Sequence, residues 1–162
     1  MSRQSHNENK RFGGPPQTTE DLHHHIPYLV NRLASSWNAE QNKRLGTCGI
    51  NSVTLRTLSV LHIHEKLTVN EIAALAFAEQ STASRAIDAM VTSGLVERQI
   101  SDQDLRRREV VLTDAGRKLL DASWPTMDEH YALMTRDIAA EEIAVCGRVL
   151  LRMIENLKPK QS

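Results

Sequence analysis

Aromatic side chains are scarce in this 162-residue chain, at 4% of positions, with two each of Phe, Trp and Tyr. A core with so few large rings must be aliphatic, and an aliphatic core of this composition is expected to be helical. Only two cysteines are present, Cys48 and Cys146, too few for a disulfide scaffold, which points to a reducing, cytoplasmic compartment. The first residues, Met1-Ser2-Arg3-Gln4-Ser5-His6, carry no apolar stretch, so no secretory signal is expected. No apolar run approaches the roughly 20 residues that span a bilayer, so no membrane partner is expected. Charge of one sign is also missing: 20 Lys and Arg balance 20 Asp and Glu. A non-specific polyanion coat is thereby excluded, and any nucleic-acid contact must come from a local patch. At 18.2 kDa the chain holds one ordinary domain or a small domain with helical extensions, not a large multidomain enzyme.

What is present is helical periodicity. Residues 1–18, with Gly13-Gly14-Pro15-Pro16, read as a flexible N-terminal arm. The triplet His23-His24-His25 reads as a solvated helix start, because consecutive helical residues face different ways and cannot close one tetrahedral metal site. Ile26, Leu29, Val30, Leu33, Ala34 and Trp37 recur at three- and four-residue steps, which predicts an amphipathic helix to about Leu45, ended by Gly46 and Gly49. A second helix over Ser52–His64 is apolar nearly all round and is expected to be buried. Thr68 and Glu71 form a capping box that opens a short helix through Ala76. After a brief connection a further helix runs from Ser81 to Ser93, stopped by Gly94. Two short helices so joined predict helix-turn-helix.

Beyond Gly94 the pattern changes to two β-favouring runs, Leu95–Ile100 and Glu109–Leu112, around a polar tip from Ser101 to Arg108. A hairpin directly after a helix-turn-helix is a wing. Thr113 then caps a helix carrying Leu119, Leu120, Trp124, Met127 and Met134, with a kink expected at Pro125. A last helix over about Glu141–Leu157 carries Ile143, Val145, Val149, Leu150, Met153, Ile154 and Leu157. The expected fold is mainly α: a winged helix-turn-helix with a two-stranded β wing and N- and C-terminal dimerisation helices. The expected divisions are residues 19–49 for the N-terminal helix, 50–116 for the DNA-binding domain and 117–162 for the C-terminal helices. Apolar stripes at both ends of a self-sufficient core need a partner, and a symmetric homodimer is the simplest one.

On a wheel of about 100° per residue, Ala83, Ala86, Ile87, Met90 and Val91 make one apolar stripe of the helix after the turn. Ser81, Ser84, Arg85 and Asp88 lie opposite, with Thr82 on the flank. Short hydroxyls and one arginine at a helix start suit close approach to a major groove, where Arg85 can fork onto a guanine. At the hairpin tip, Arg106-Arg107-Arg108 beside Asp102 and Asp104 have no core role. Arginine suits the negative potential of a narrow minor groove, and Asp104 is expected to brace the Arg106 guanidinium in a bidentate pair. Arg107 is expected to meet a backbone phosphate.

Three stretches together resemble the MarR family of bacterial transcription regulators. They are Ser81-Thr82-Ala83-Ser84-Arg85, Ser93-Gly94-Leu95-Val96-Glu97-Arg98, and Asp104-Leu105-Arg106 running on to Val111-Leu112-Thr113-Asp114-Ala115-Gly116. The last holds an Asp-x-Arg wing signature followed by Leu-Thr-x-x-Gly. The likeness spans about residues 26–158. It implies a homodimeric regulator, a repressor, that binds a palindromic operator and releases it on meeting a small-molecule effector, with no cofactor. By motif position, Ser81, Thr82, Ser84 and Arg85 are the implied major-groove and phosphate contacts, and Arg106 the implied minor-groove arginine. Glu79-Gln80 departs from the pattern, since an acid suits a phosphate poorly.

Two alternatives stand beside this reading. Cys48 lies near Lys43, Arg44, His62 and His64, where nearby cations favour a reactive thiolate, so a cysteine-based redox regulator of the same family is one. A winged helix used only for protein interaction is the other, although such a face should carry apolar anchors rather than arginines. Cys146 reads as packing, and the effector is expected in a pocket between the dimerising helices and the winged domain, near Trp37. His62 and His64, two apart, face different ways and do not form a metal site by themselves. No P-loop, dinucleotide turn or His-Glu-x-x-His occurs, and the two tip aspartates lie open to water, so catalysis is not expected.

Overall fold

A computed structural model describes residues 14–101, 104 and 106–158. Most of the expected arm, residues 1–13, lies outside the described residues. The chain divides into two compact units, residues 1–40 and 41–162.

The first unit holds α1 (Thr19–His23) and the larger part of α2 (Ile26–Gly46). A capping box opens α1: Asp21 N–H donates to Thr18 Oγ1 at 3.1 Å, and Thr18 N–H donates back to Asp21 Oδ2 at 2.9 Å. The amides of Gln17 and Thr18 hold the Asp21 carboxyl below its ordinary range. The histidine triplet both closes this short helix and starts the next: His23 is its last residue and His24 its C-cap, beside the Glu20 carbonyl, while the His25 carbonyl accepts from the Leu29 amide of α2 at 3.1 Å. The start of α1 had to be missed by apolar periodicity, because none of its residues is buried. On α2, Ile26, Leu29, Val30 and Leu33 are exposed.

The second unit holds the core. Asn51 caps α3 (Ser52–His64) by accepting from the Val53 and Thr54 amides, both at 3.0 Å. Leu55, Leu58 and Leu61 of this helix are buried, but Ile63 is 70% exposed, so α3 buries one face rather than its whole circumference. The chain turns at Glu65, with φ 61°, into β1 (Lys66–Leu67), then α4 (Val69–Leu75) and α5 (Gln80–Thr92). The wing is β2 (Val96–Ile100) antiparallel to β3 (Arg108–Leu112), with Val96 opposite Leu112 and Ile100 opposite Arg108. The sheet has three strands rather than the two expected, in the order β1-β3-β2. The added strand is two residues long, too short to show alternation, and buries Leu67 opposite Val110.

Helix α6 (Asp114–Met134) begins where Thr113 Oγ1 accepts from the Gly116 amide at 3.1 Å and donates to the Gly94 and Leu95 carbonyls. Gly116 is obligatory there, since a Cβ would collide with the Leu95 carbonyl oxygen and with Leu112 Cδ1. Pro125 sits inside the continuous helix. The last helix, α7 (Ala140–Asn156), contains no buried residue. Cys146, expected to pack, is exposed on it, while Cys48 is half-buried. No helix among the described residues is long and apolar enough to cross a membrane.

Candidate nucleic-acid interface

The helix-turn-helix is α4 and α5 with the turn between them. Thr68 and Glu71 form the expected box: Glu71 N–H donates to Thr68 Oγ1 at 3.3 Å, and Thr68 N–H donates to Glu71 Oε2 at 2.7 Å. Phe77, in the turn, takes the left-handed backbone at φ 51° and is 82% exposed. Gln80 Nε2 donates to Asn70 Oδ1 at 2.8 Å, tying the start of α5 back to α4.

Burial of Ala83, Ile87 and Met90 fixes which side of α5 faces the core. The opposite side follows from helical geometry: Ser81, Thr82 and Arg85 are exposed and Ser84 is half-buried. The hydroxyls do not cap the helix. Glu79 is the N-cap and makes no side-chain capping bond, which leaves the partial positive charge of the first turn without a side-chain acceptor. An exposed helix start with short polar side chains, one arginine and uncapped amides is complementary to a phosphate backbone and base edges. The acid at Glu79 is exposed beside it.

The wing is fastened to this helix. Arg98 of β2 donates to Asp88 of α5 at 2.6 Å. At the tip, residues 102, 103 and 105 lie outside the described residues, including Asp102 and Leu105 of the sequence argument. Asp104 meets Arg106 differently from the expected bidentate brace. Its Oδ1 accepts from the Arg106 backbone amide at 2.9 Å, so the acid shapes the turn, and the exposed Arg106 guanidinium is not what it holds.

Arg107 also departs from expectation. Rather than standing out toward a phosphate, its Nη2 reaches both carboxylate oxygens of Glu71, at 2.7 and 2.9 Å. Its Nε lies 3.4 Å from Glu109 Oε1. The Thr68 amide and then its hydroxyl hold the Glu71 carboxyl below its ordinary range, partly opposed by desolvation, with Arg107 adding a lesser lowering. Sequence reasoning found the capping box but not this second use of its acid, since the partners stand 36 residues apart.

A cleft of about 210 Å³ is lined by Ser59, His62 and Ile63 of α3 with Leu120, Asp121 and Trp124 of α6.

A sequence profile of the MarR family matches residues 49–107. A MarR-family transcriptional regulator from Silicibacter pomeroyi is 34% identical, with a TM-score of 0.81 over 88% of this chain and 96% of that one. S. aureus MepR, solved as a DNA complex, shares the fold at 24% identity and a TM-score of 0.72, covering 84% of this chain and 99% of that one. YdgJ of Bacillus subtilis strain 168, an uncharacterized HTH-type transcriptional regulator, is 25% identical over 109 residues. That match takes in 67% of this chain and 66%, just under two thirds, of YdgJ. With the helix-turn-helix, wing and flanking helices in place, the chain belongs to the MarR family of transcription regulators, which are DNA-binding proteins and not enzymes.

Proposed function

We propose that this chain is a cytoplasmic repressor that binds a palindromic operator as a homodimer and releases it when a small-molecule effector binds. The observation that carries the reading is the outward face of α5: Ser81, Thr82 and Arg85 exposed, Ser84 half-buried, above a stripe of buried Ala83, Ile87 and Met90. Ser81, Thr82 and Ser84 approach phosphates and base edges, and Arg85 reads a base in the major groove. Arg106, exposed at the wing tip, enters the minor groove, with Asp104 fixing its backbone rather than its guanidinium. The DNA complex of S. aureus MepR is consistent with this use of the fold.

Dimerisation is supported by the apolar surface left open on α7, including Val145, Val149, Leu150 and Leu151, since contiguous exposed patches of this kind mark interaction sites. In this division residues 19–49 and 117–162 dimerise while residues 50–116 read DNA. A two-fold axis sets two recognition helices about 34 Å apart, one turn of duplex. The cleft beside Trp124 is the proposed effector site.

Selection from a random duplex pool tests the reading. The expected product is an inverted repeat with half-sites one turn apart, bound by a dimer in sedimentation velocity and weakened steeply by salt. Enrichment of a lone half-site, or of nothing, overturns it.

A further inference from the structure

Two acids stand where electrostatics alone disfavours them. Glu71 lies in the first turn of the first helix of the helix-turn-helix, and Glu109 is the second residue of the return strand of the wing, both next to surfaces that must meet a polyanion. A carboxylate in such a place repels phosphate and weakens binding unless it does something else. The contacts show what else it does. Glu71 Oε2 accepts from the Thr68 amide at 2.7 Å and from the Thr68 hydroxyl at 2.8 Å, so the cap holds the carboxylate in one orientation. Its other oxygen, Oε1, receives Arg107 Nη2 at 2.7 Å. Glu109, whose side chain is only 14% exposed, flanks the guanidinium on its Nε edge.

Arg107 is as well placed on its backbone as on its side chain. Its amide donates to the Asp104 carbonyl at 2.9 Å, and its carbonyl accepts from the Ser101 amide at 3.0 Å. It therefore closes the wing tip as a turn, while its side chain reaches across to α4. Arg106 is the neighbour on the chain. Arg106 is thus held between Asp104 Oδ1 on its own amide and Arg107, whose side chain is drawn onto α4.

We propose that Glu71 and Arg107 form a clamp that fixes the wing to the helix-turn-helix, making both positioning residues for operator binding and neither a phosphate contact. The inference rests on the DNA-binding reading above. It means that the wing arginine and the recognition helix are presented to DNA as one preorganised surface, so that less freedom is lost on binding.

The clamp and simple repulsion give opposite signs. Glu71→Gln keeps the capping box, because glutamine serves at that position, and removes only the charge facing Arg107. If Glu71 merely repels DNA or competes for Arg107, Glu71→Gln tightens the complex. If it clamps, Glu71→Gln and Arg107→Ala each weaken operator binding by about three- to tenfold. The double variant is then no weaker than the worse single one, because each removes the same contact. The slope of log affinity against log salt stays at the wild-type value in Arg107→Ala. Loss of a true phosphate contact lowers that slope by about one.

Amide hydrogen exchange supplies an arm that needs no DNA. The Ser101 amide is expected to exchange faster in both single variants while the melting temperature stays within a few degrees of wild type, since the pair is half-exposed. This arm decides the clamp even where the wild-type protein selects no duplex, an outcome that sinks the functional reading instead. Tighter binding by Glu71→Gln, a reduced salt slope in Arg107→Ala, additive losses in the double variant, or unchanged Ser101 exchange each overturns the clamp.

Discussion

Helices α3 and α7 carry similar amounts of leucine, isoleucine and valine and end in opposite situations. Leu58 and Leu61 of α3 are completely buried, whereas on α7 Val145 is 48% exposed and Leu151 is 63% exposed. The difference lies in where the covering surface comes from. Around α3 it is supplied by the chain itself, through Ile72, Ile87, Val110 and Leu120 of the same cluster. Around α7 the described residues supply little. Apolar periodicity predicts that a helix face will be covered, and says nothing about whether the cover lies in the same molecule.

The sharpest way to break this comparison is to truncate one leucine on each side of it. Leu58→Ala is expected to cost about 2–5 kcal/mol in unfolding free energy by denaturant titration, from lost burial and the cavity left behind. Leu151→Ala is expected to cost under about 0.5 kcal/mol at concentrations where the protein is monomeric, with any larger effect growing with protein concentration. Equal and concentration-independent losses would show that α7 is covered within its own chain.

Next in size is Arg85, which belongs to the outward surface of a packed helix. Arg85→Ala is expected to lose roughly 1–3 kcal/mol of operator affinity and to relax preference at one base pair per half-site, with no change in melting temperature. Titration against operators substituted at single positions reads both. A uniform loss over all sequences would reassign Arg85 to a phosphate.

A smaller effect, of opposite sign, is expected inside the core. Thr57 is fully buried and its hydroxyl has no hydrogen-bond partner among the described residues. Thr57→Val keeps the shape and removes an unpaired polar atom, so unfolding free energy should rise by about 1 kcal/mol. A fall would mean that the hydroxyl is satisfied in solution.

The smallest expected effect is a pH dependence from Glu71. Its carboxyl is held below the ordinary range by the Thr68 amide above all. A depressed carboxylate contributes stability that is fully present above its unfolded value, near pH 4.3, and is lost as pH falls through the lower folded value. Protection of the Ser101 amide should thus be unaffected by Glu71 titration from pH 7 to 5, and the difference between wild type and Glu71→Gln should persist across that range. Convergence of the two proteins is expected only below about pH 4. Convergence already at pH 6 would contradict the depressed carboxyl.

Legibility in the sequence followed the length of each signal. The span of α3, the Thr68–Glu71 box, the Thr113 cap and the hairpin were readable because each rests on contiguous residues with a defined period or spacing. Strand β1 was not, since two residues carry no period. Nor was α1, whose capping box at Thr18–Asp21 precedes no apolar stripe. The connection after Ala76 was legible, but its left-handed backbone at Phe77 was not, because a residue with a Cβ stands where a glycine would have announced it. At the interface, the outward face of α5 was legible from its apolar complement. The pairing of Arg107 with Glu71 was not, because a run of three arginines looks alike at each position until the fold brings an acid to one of them.

The contact at Gly116 has a mechanical consequence. Leu95 follows α5 directly after Gly94, and its carbonyl receives the Thr113 amide at 3.2 Å and the Thr113 hydroxyl at 2.9 Å, with Gly116 pressed against it. Two helices are thus pinned at one point with no room for a methyl group between them. Helix α6 has 21 residues and α5 has 13, which at 1.5 Å per residue makes arms of about 30 and 20 Å on either side of the pin. Close-packed joints of this kind do not absorb strain. If the two helices turn about this pin as one rigid body, a displacement of the far end of α6 reaches the N-terminal end of α5 reduced by about a third, because the arms are unequal.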